Sequence, residues 1–280
     1  MQLENKPKKR VMLTVAYDGS HYKGWQIQPG GITIESELIR AFAELTGEKI
    51  TITGASRTDA GVHALCNKAV FDTATQIPAE KLSYAMNRYL PEDIRIRHSC
   101  EVAPDFHPRR VPGEKTYAYR IYNAPFPDPT KRLYSYFVYV PLDVEAMKEA
   151  AGFFLGTHDF AAISTYKPEV ASTVRTITDI RVEVSSEKPL AKAQGLAEEK
   201  LITITVTGNG FLYHMVRILA GTLLEVGRGR MQADAIPKIL ASRDRNQAGP
   251  TAPAMGLMMT EHRFLQDSNA YNKEDQEDWS

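Results

Sequence analysis

Two cysteines in 280 residues, Cys66 and Cys100, cannot frame a disulfide scaffold, and neither stands in a cluster of metal ligands. Such thiols suit a reducing cytoplasm. No run approaches the roughly 20 apolar residues that cross a bilayer, and the first ten residues lack an apolar secretory stretch, so neither a membrane nor export is expected. A surplus of one charge is also missing: 34 Lys and Arg balance 34 Asp and Glu. That excludes a global basic field for holding a polyanion. The Gly208-Asn209-Gly210 turn carries no phosphate-loop lysine-serine pattern, so nucleotide cradling is not expected there. His63 and His214 stand too far from other ligand types to suggest a metal, and packing roles are expected for both.

The charge is unevenly spread. Residues 265–280 hold Asp267, Glu274, Asp275, Glu277 and Asp278 against Lys273, whereas Lys6, Lys8, Lys9 and Arg10 oppose Glu4 at the other end. The body between is close to neutral, so a polyanionic partner would have to be held by a local cluster of arginines.

The pattern along the chain alternates short strands with short helices. Strands are expected at 11–17, 48–54, 64–73, 94–102, 115–122, 133–140, 175–184, 200–207 and 256–263. Helices are expected at 34–46, where Leu38, Ala41, Phe42 and Leu45 share a face and Gly47 is a stop, and at 79–89, 143–154, 211–225 and 233–241. Many strands follow one another directly, which favours antiparallel pairing in an α+β fold over a βαβ nucleotide fold. Two α+β domains are expected, 11–110 and 111–264. Residues 1–10 read as a basic extension, 186–198 as an exposed excursion, and 265–280 as a disordered acidic tail.

The densest polar feature is Gly54-Ala55-Ser56-Arg57-Thr58-Asp59-Ala60-Gly61-Val62-His63-Ala64, set between two strand-like runs. Arg57 and Asp59 are two residues apart, so an extended backbone points both the same way. That arrangement suits a carboxylate held ionised in a cleft, able to act as nucleophile or base on a sugar. It equally suits a structural clamp of the loop.

This loop resembles the signature of the TruA-type tRNA pseudouridine synthase family, in which Arg, Thr and Asp precede a Gly-Val-His-Ala run. Four further segments carry the resemblance. They are Ala16-Tyr17-Asp18-Gly19 with Tyr22, Gly24, Trp25 and Gln26; Phe106-His107-Pro108-Arg109; Lys115-Thr116-Tyr117-Ala118-Tyr119-Arg120; and Asn209-Gly210-Phe211-Leu212-Tyr213-His214-Met215-Val216-Arg217. Together they span about residues 11 to 263.

The resemblance implies two related domains with mainly antiparallel sheets flanked by helices around a central cleft, the pseudouridine synthase fold, and a cytoplasmic homodimer. It implies isomerisation of uridines 38, 39 and 40 in the anticodon stem-loop of tRNA, with no cofactor. Asp59 would be the catalytic aspartate and Arg57 its ion-pair partner, which also helps splay the target base. Tyr117 would pack on the uracil and is a candidate base at C5. Arg217 would salt-bridge the aspartate from the second domain, and Leu257 would supply an apolar wall. Arg109 and Arg110 are candidate phosphate contacts. Trp25 and Gln26 lie in a loop that the resemblance places near the RNA, although Trp25 by composition is as well read as a packing anchor. Pro253-Ala254-Met255-Gly256-Leu257 lacks the basic approach the family often has before its Gly-Leu. Two other readings remain open: a catalytically idle tRNA-binding module, and a synthase acting on another RNA position.

Overall fold

The computed structural model describes residues 7–165, 171–185 and 199–265. The excursion expected at 186–198 lies outside these residues, as does the acidic tail beyond Leu265. The chain forms two compact units. The first takes the described residues up to Gly113 and those from Met259 onward, and the second takes Glu114–Met258.

The first unit opens with β1 (Lys9–Tyr17), followed by α1 (Ile34–Thr46), the two-residue β2 (Thr53–Gly54), β3 (His63–Thr73), α2 (Leu82–Met86) and β4 (Ile94–Val102). Strand β1 pairs antiparallel with β3 on one side and β4 on the other. Lys9 and Arg10, expected in a basic extension, belong to this strand, and Arg10 forks onto the Asp72 carboxylate at 2.8 and 2.7 Å.

Both faces of this sheet are covered, which is why β1 and β3 read as near-continuous apolar runs. On one face the fully buried Phe42 of α1 meets the Phe71 ring edge-on at 4.9 Å. On the other, Met12, Val70, Val102, Phe106 and Phe264 form a cluster, with Phe106 and Phe264 perpendicular at 5.4 Å. Helix α1 starts at a Thr33/Ser36 capping box and stops where Gly47 turns left-handed at φ 76°, donating its N–H to Ala43. The helix expected at 79–89 is shorter, a 3₁₀ turn over Ala79–Lys81 followed by α2. Its end has a tertiary cause. The Asn87 side chain leaves the helix to bond both backbone groups of Ile96, each at 2.8 Å. The run at 48–54 is a strand only over Thr53–Gly54, and at its start the Glu48 carboxylate accepts from Thr73 Oγ1 at 2.6 Å and Ala74 N at 3.2 Å.

The second unit contains β5 (Gly113–Asn123), β6 (Tyr136–Val138), α3 (Val144–Gly152), β7 (Gly156–Asp159), β8 (Val174–Ser185), β9 (Lys200–Gly208), α4 (Met215–Gly227) and α5 (Ala235–Ser242). Its sheet runs β5-β9-β8-β7, all antiparallel, with β6 added parallel to β5. Ile202, Ile204 and Val206 of β9 are fully buried while the threonines between them are half-buried, the period-2 pattern of a strand with one face in the core. Helix α3 packs on α4 and β8. Helix α4 begins four residues later than its apolar pattern suggests, because His214 adopts the left-handed region at φ 62° and helical geometry starts only at Met215. The last strand, β10 (Leu257–Phe264), neighbours β3.

Candidate active site

The polar loop joins β2 to β3, and its exposure alternates: Arg57 exposed, Thr58 buried, Asp59 half-buried. Arg57 and Asp59 therefore leave the loop on the side opposite Thr58, as their spacing predicts. Both ends are tied down. Ala55 N donates to Lys68 O at 2.7 Å, Val62 N closes a turn onto Asp59 O at 3.2 Å, and Gly61 bends it at φ 78°. Gly19 N donates to His63 Nδ1 at 3.1 Å, fixing the start of β3.

A second segment braces the loop from beneath. Trp25 N donates to the Thr58 carbonyl at 3.0 Å, and the indole covers Gly54 so closely that any Cβ there would collide with it. Gly24, at φ 89°, brings its backbone against the same carbonyl, where a Cβ would come within 2.6 Å. Trp25 is 2% exposed, a packing anchor, while Gln26 beside it is exposed. Beneath the loop, the Tyr17 hydroxyl lies 2.7 Å from Thr58 Oγ1, and Asn67 Nδ2 donates to Tyr17 at 3.3 Å and to the Ser56 carbonyl at 3.0 Å.

Arg109 and Arg110 are exposed in the turn after Phe106. Arg109 is held below the ordinary arginine value, first by desolvation and then by the positive charge of Arg57. Desolvation, with Arg109 and Arg110 adding to it, also lowers His107. Arg57 and Arg109, whose positive charges oppose one another, gain from an anion placed between them.

In the second unit, Tyr117 on β5 is buried and meets the Phe211 ring edge-on at 5.2 Å. Phe211 lies before the His214 kink, where the His214 ring stacks on Tyr213 at 3.7 Å and its Nδ1 lies 3.0 Å from Thr165 Oγ1. Arg217, half-buried on α4, donates from Nε to the Ala252 carbonyl at 2.7 Å. Leu257 is 5% exposed. It follows Gly256, where a Cβ would come within 2.7 Å of the Tyr119 ring, and Tyr119 OH donates to Pro253 O at 2.9 Å. Burial raises Tyr119 far above the ordinary tyrosine value, with Tyr136 adding to this and Arg217 opposing it. Tyr119 is therefore a neutral donor, and its role is to seat the segment that orients Arg217.

The expected site residues fall in both units. In the first, Arg57, Asp59 and the Arg109–Arg110 turn stand on a braced loop system. In the second, Tyr117, Arg217 and Leu257 are aimed by Phe211, Ala252 and Tyr119. The sequence reading missed Tyr17, Asn67 and Ala252. Tyr17 stood in a quoted motif, but no spacing announced its partner; Ala252 acts through its backbone and carries no side-chain signal. Among the described residues no group of His, Cys, Asp and Glu could hold a metal ion, and no helix is long and apolar enough to cross a membrane.

A family model described as tRNA pseudouridine synthase matches residues 13–109 and 150–264, segments that contain Asp59, Arg217 and Leu257. The tRNA pseudouridine synthase A of Acetivibrio thermocellus is 47% identical over 253 residues, covering 90% of this chain and 98% of that protein. That of Thermoanaerobacter sp. is 43% identical over 251 residues, with the same two coverages, 90% and 98%. Among solved structures, a chain of a Cbf5-Nop10-Gar1 complex is similar at 12% identity over 95% of this chain and 57% of its own, with a TM-score of 0.35, too loose a likeness to carry an argument. On the family model and the near-full-length identity, the chain belongs to the tRNA pseudouridine synthase family, a family of isomerases, and its mainly antiparallel sheet flanked by helices is that family's fold.

Proposed function

We propose that this chain converts uridine to pseudouridine at positions 38, 39 and 40 of the tRNA anticodon stem-loop, in the cytoplasm and as a homodimer, with Asp59 as the catalytic carboxylate. The observation that carries the assignment is the loop itself: Asp59 is half-buried and projects, with Arg57, from a backbone braced on its opposite side.

Uridine and pseudouridine contain the same atoms, so the stoichiometry calls for no co-reactant. The N1–C1′ bond breaks, the uracil turns in place, C5 bonds to C1′, and the C5 proton leaves while N1 gains one. Asp59 either attacks C1′ or removes the C2′ proton, and both routes require its ionised form. Tyr117 supplies an aromatic face for the uracil and the base for C5, its ring direction set by Phe211. Leu257 adds an apolar wall, and Arg217 supplies positive charge from a guanidinium anchored by Ala252. Arg57, Arg109, Arg110 and Gln26 are placed on the RNA backbone, and Trp25 serves the same purpose by holding the loop that carries Gln26. Service to three adjacent positions implies recognition of shape and phosphates more than of base sequence.

The test is in vitro modification of anticodon stem-loop transcripts carrying uridine singly at 38, 39 or 40, beside ribosomal RNA fragments. Pseudouridine confined to the stem-loop positions is expected. Product only on another RNA would overturn the positional assignment, and sedimentation of the enzyme at twice its 31.3 kDa chain mass tests the homodimer.

A further inference from the structure

Thr58 is the buried residue of the Arg57-Thr58-Asp59 triplet, and the partners it bonds, Trp25 and Tyr17, are buried. Its carbonyl accepts from Trp25 N, and its hydroxyl lies 2.7 Å from the hydroxyl of Tyr17, which is 5% exposed. Tyr17 in turn accepts from Nδ2 of Asn67, which is fully buried. The same nitrogen donates to the Ser56 carbonyl. A carbonyl can only accept, so the amide's nitrogen must face it, and the orientation of Asn67 is set. Tyr17 and Thr58 then share a hydrogen bond between their hydroxyls, in which either oxygen can donate. Burial holds the Tyr17 pKa well above the ordinary tyrosine range, so the phenol stays protonated across the working pH. The chain of Asn67, Tyr17 and Thr58 links residues 41 and 50 apart in sequence.

This chain is a costly way to fill space. Asn67 Oδ1 and Ser56 Oγ, both buried, bond to no described residue, and such groups cost stability that an apolar side chain at either position would not. What Asn67 and Tyr17 hold in return is the backbone on both sides of Arg57: the Ser56 carbonyl before it and the Thr58 side chain after it.

We infer that Thr58, clamped by Tyr17 and Asn67, is a positioning residue that fixes the direction of the Asp59 carboxylate. The inference rests on the reading of Asp59 as catalytic. A carboxylate that must meet one carbon or one proton of a ribose tolerates little error, and a displacement of about 1 Å can cost roughly 100-fold in rate. The clamp acts on the chemical step and makes no contact with RNA.

The experiment measures single-turnover rate at saturating tRNA, tRNA affinity and thermal melting for Thr58→Val, Thr58→Ser, Tyr17→Phe and the Tyr17→Phe/Thr58→Val pair. Thr58→Val and Tyr17→Phe are expected to lower the saturated rate about 10- to 100-fold with affinity within about twofold. The double variant should be no slower than the slower single one, because the Tyr17–Thr58 bond is already lost in either. Thr58→Ser returns the hydroxyl and should recover most of the rate. A saturated rate near wild type in folded Thr58→Val or Tyr17→Phe overturns the inference, as does a loss confined to affinity or an absence of recovery in Thr58→Ser. If valine prevents folding, the same comparison stands on Tyr17→Phe and Thr58→Ser. Asp59→Asn, run alongside, separates the two levels. An inactive Asp59→Asn beside a fully active Tyr17→Phe removes the clamp alone, whereas an active Asp59→Asn removes the catalytic reading beneath it.

Discussion

Arg217 and Ala252 are bonded twice: Arg217 Nε donates to the Ala252 carbonyl at 2.7 Å, and the Ala252 N–H donates to the Arg217 carbonyl at 3.1 Å. One contact aims the guanidinium, and the other fixes the segment that aims it. An arginine on an otherwise apolar helix could instead reach for solvent. Here its Nε is committed to the Ala252 carbonyl.

Arg217→Ala should therefore lower the saturated single-turnover rate by about 100-fold while leaving the fold intact. Arg217→Lys should recover little, since lysine keeps the charge without the fork that Nε orients. Rates collected over a range of tRNA and salt concentrations check this. A rate restored by saturating tRNA or low salt would reduce Arg217 to a phosphate contact.

The segment that aims Arg217 lies directly on α4. Gly221 faces the Pro250 carbonyl so closely that any Cβ would overlap it, and Gly249 N donates to Thr222 Oγ1 at 3.0 Å. Gly221→Ala should destabilise the protein by about 1–3 kcal/mol through overpacking and lower activity beyond the loss of folded material. Denaturant midpoints and activity per folded molecule report the two effects separately.

Acid stability has an identifiable contributor in Asp159. Its carboxylate accepts from Thr173 Oγ1 at 2.6 Å and from Ala161 N at 3.1 Å, and pairs with Arg243 at 2.9 Å. The Thr173 bond, then Ala161 and Arg243, hold it below the ordinary carboxylate range against the opposing effect of burial. A depressed pKa contributes stability above the unfolded value of about 3.9, and that contribution is lost as pH falls through the folded value. Asp159→Asn should cost about 1 kcal/mol at pH 7, and the gap from wild type should close below about pH 4. Urea melts across that range measure it; a gap that persists unchanged at low pH would contradict the assignment.

Much of the arrangement was legible because it follows from local rules. The alternation of Arg57, Thr58 and Asp59 matches their exposure, Gly47 gave the end of α1, and direct strand-to-strand succession gave the antiparallel pairing of β7, β8 and β9, although β6 follows β5 directly and pairs parallel with it. What stayed hidden depends on partners distant in sequence. Asn87 ends α2 by bonding Ile96, and His214 delays α4 through a backbone conformation that its apolar neighbours give no sign of. Tyr17 and Asn67 read as ordinary strand residues, since nothing local announces a hydrogen bond from Tyr17 to Thr58, 41 residues on, or from Asn67 to Tyr17, 50 residues back. Trp25 shows the limit most plainly. Its composition fitted an RNA contact as well as an anchor, and only its contact with Gly54 distinguishes them.

The most direct test of the catalytic assignment replaces one oxygen of the carboxylate. Asp59→Asn keeps the size of the side chain and removes its charge, so the braced loop and the arginines proposed to meet RNA should be unchanged. Isotope-labelled uridine in tRNA, followed by mass analysis of the released nucleosides, should show no pseudouridine from Asp59→Asn. Its tRNA affinity should stay within about tenfold of wild type, about 1.4 kcal/mol. Pseudouridine formed by Asp59→Asn at a rate near wild type would contradict the account.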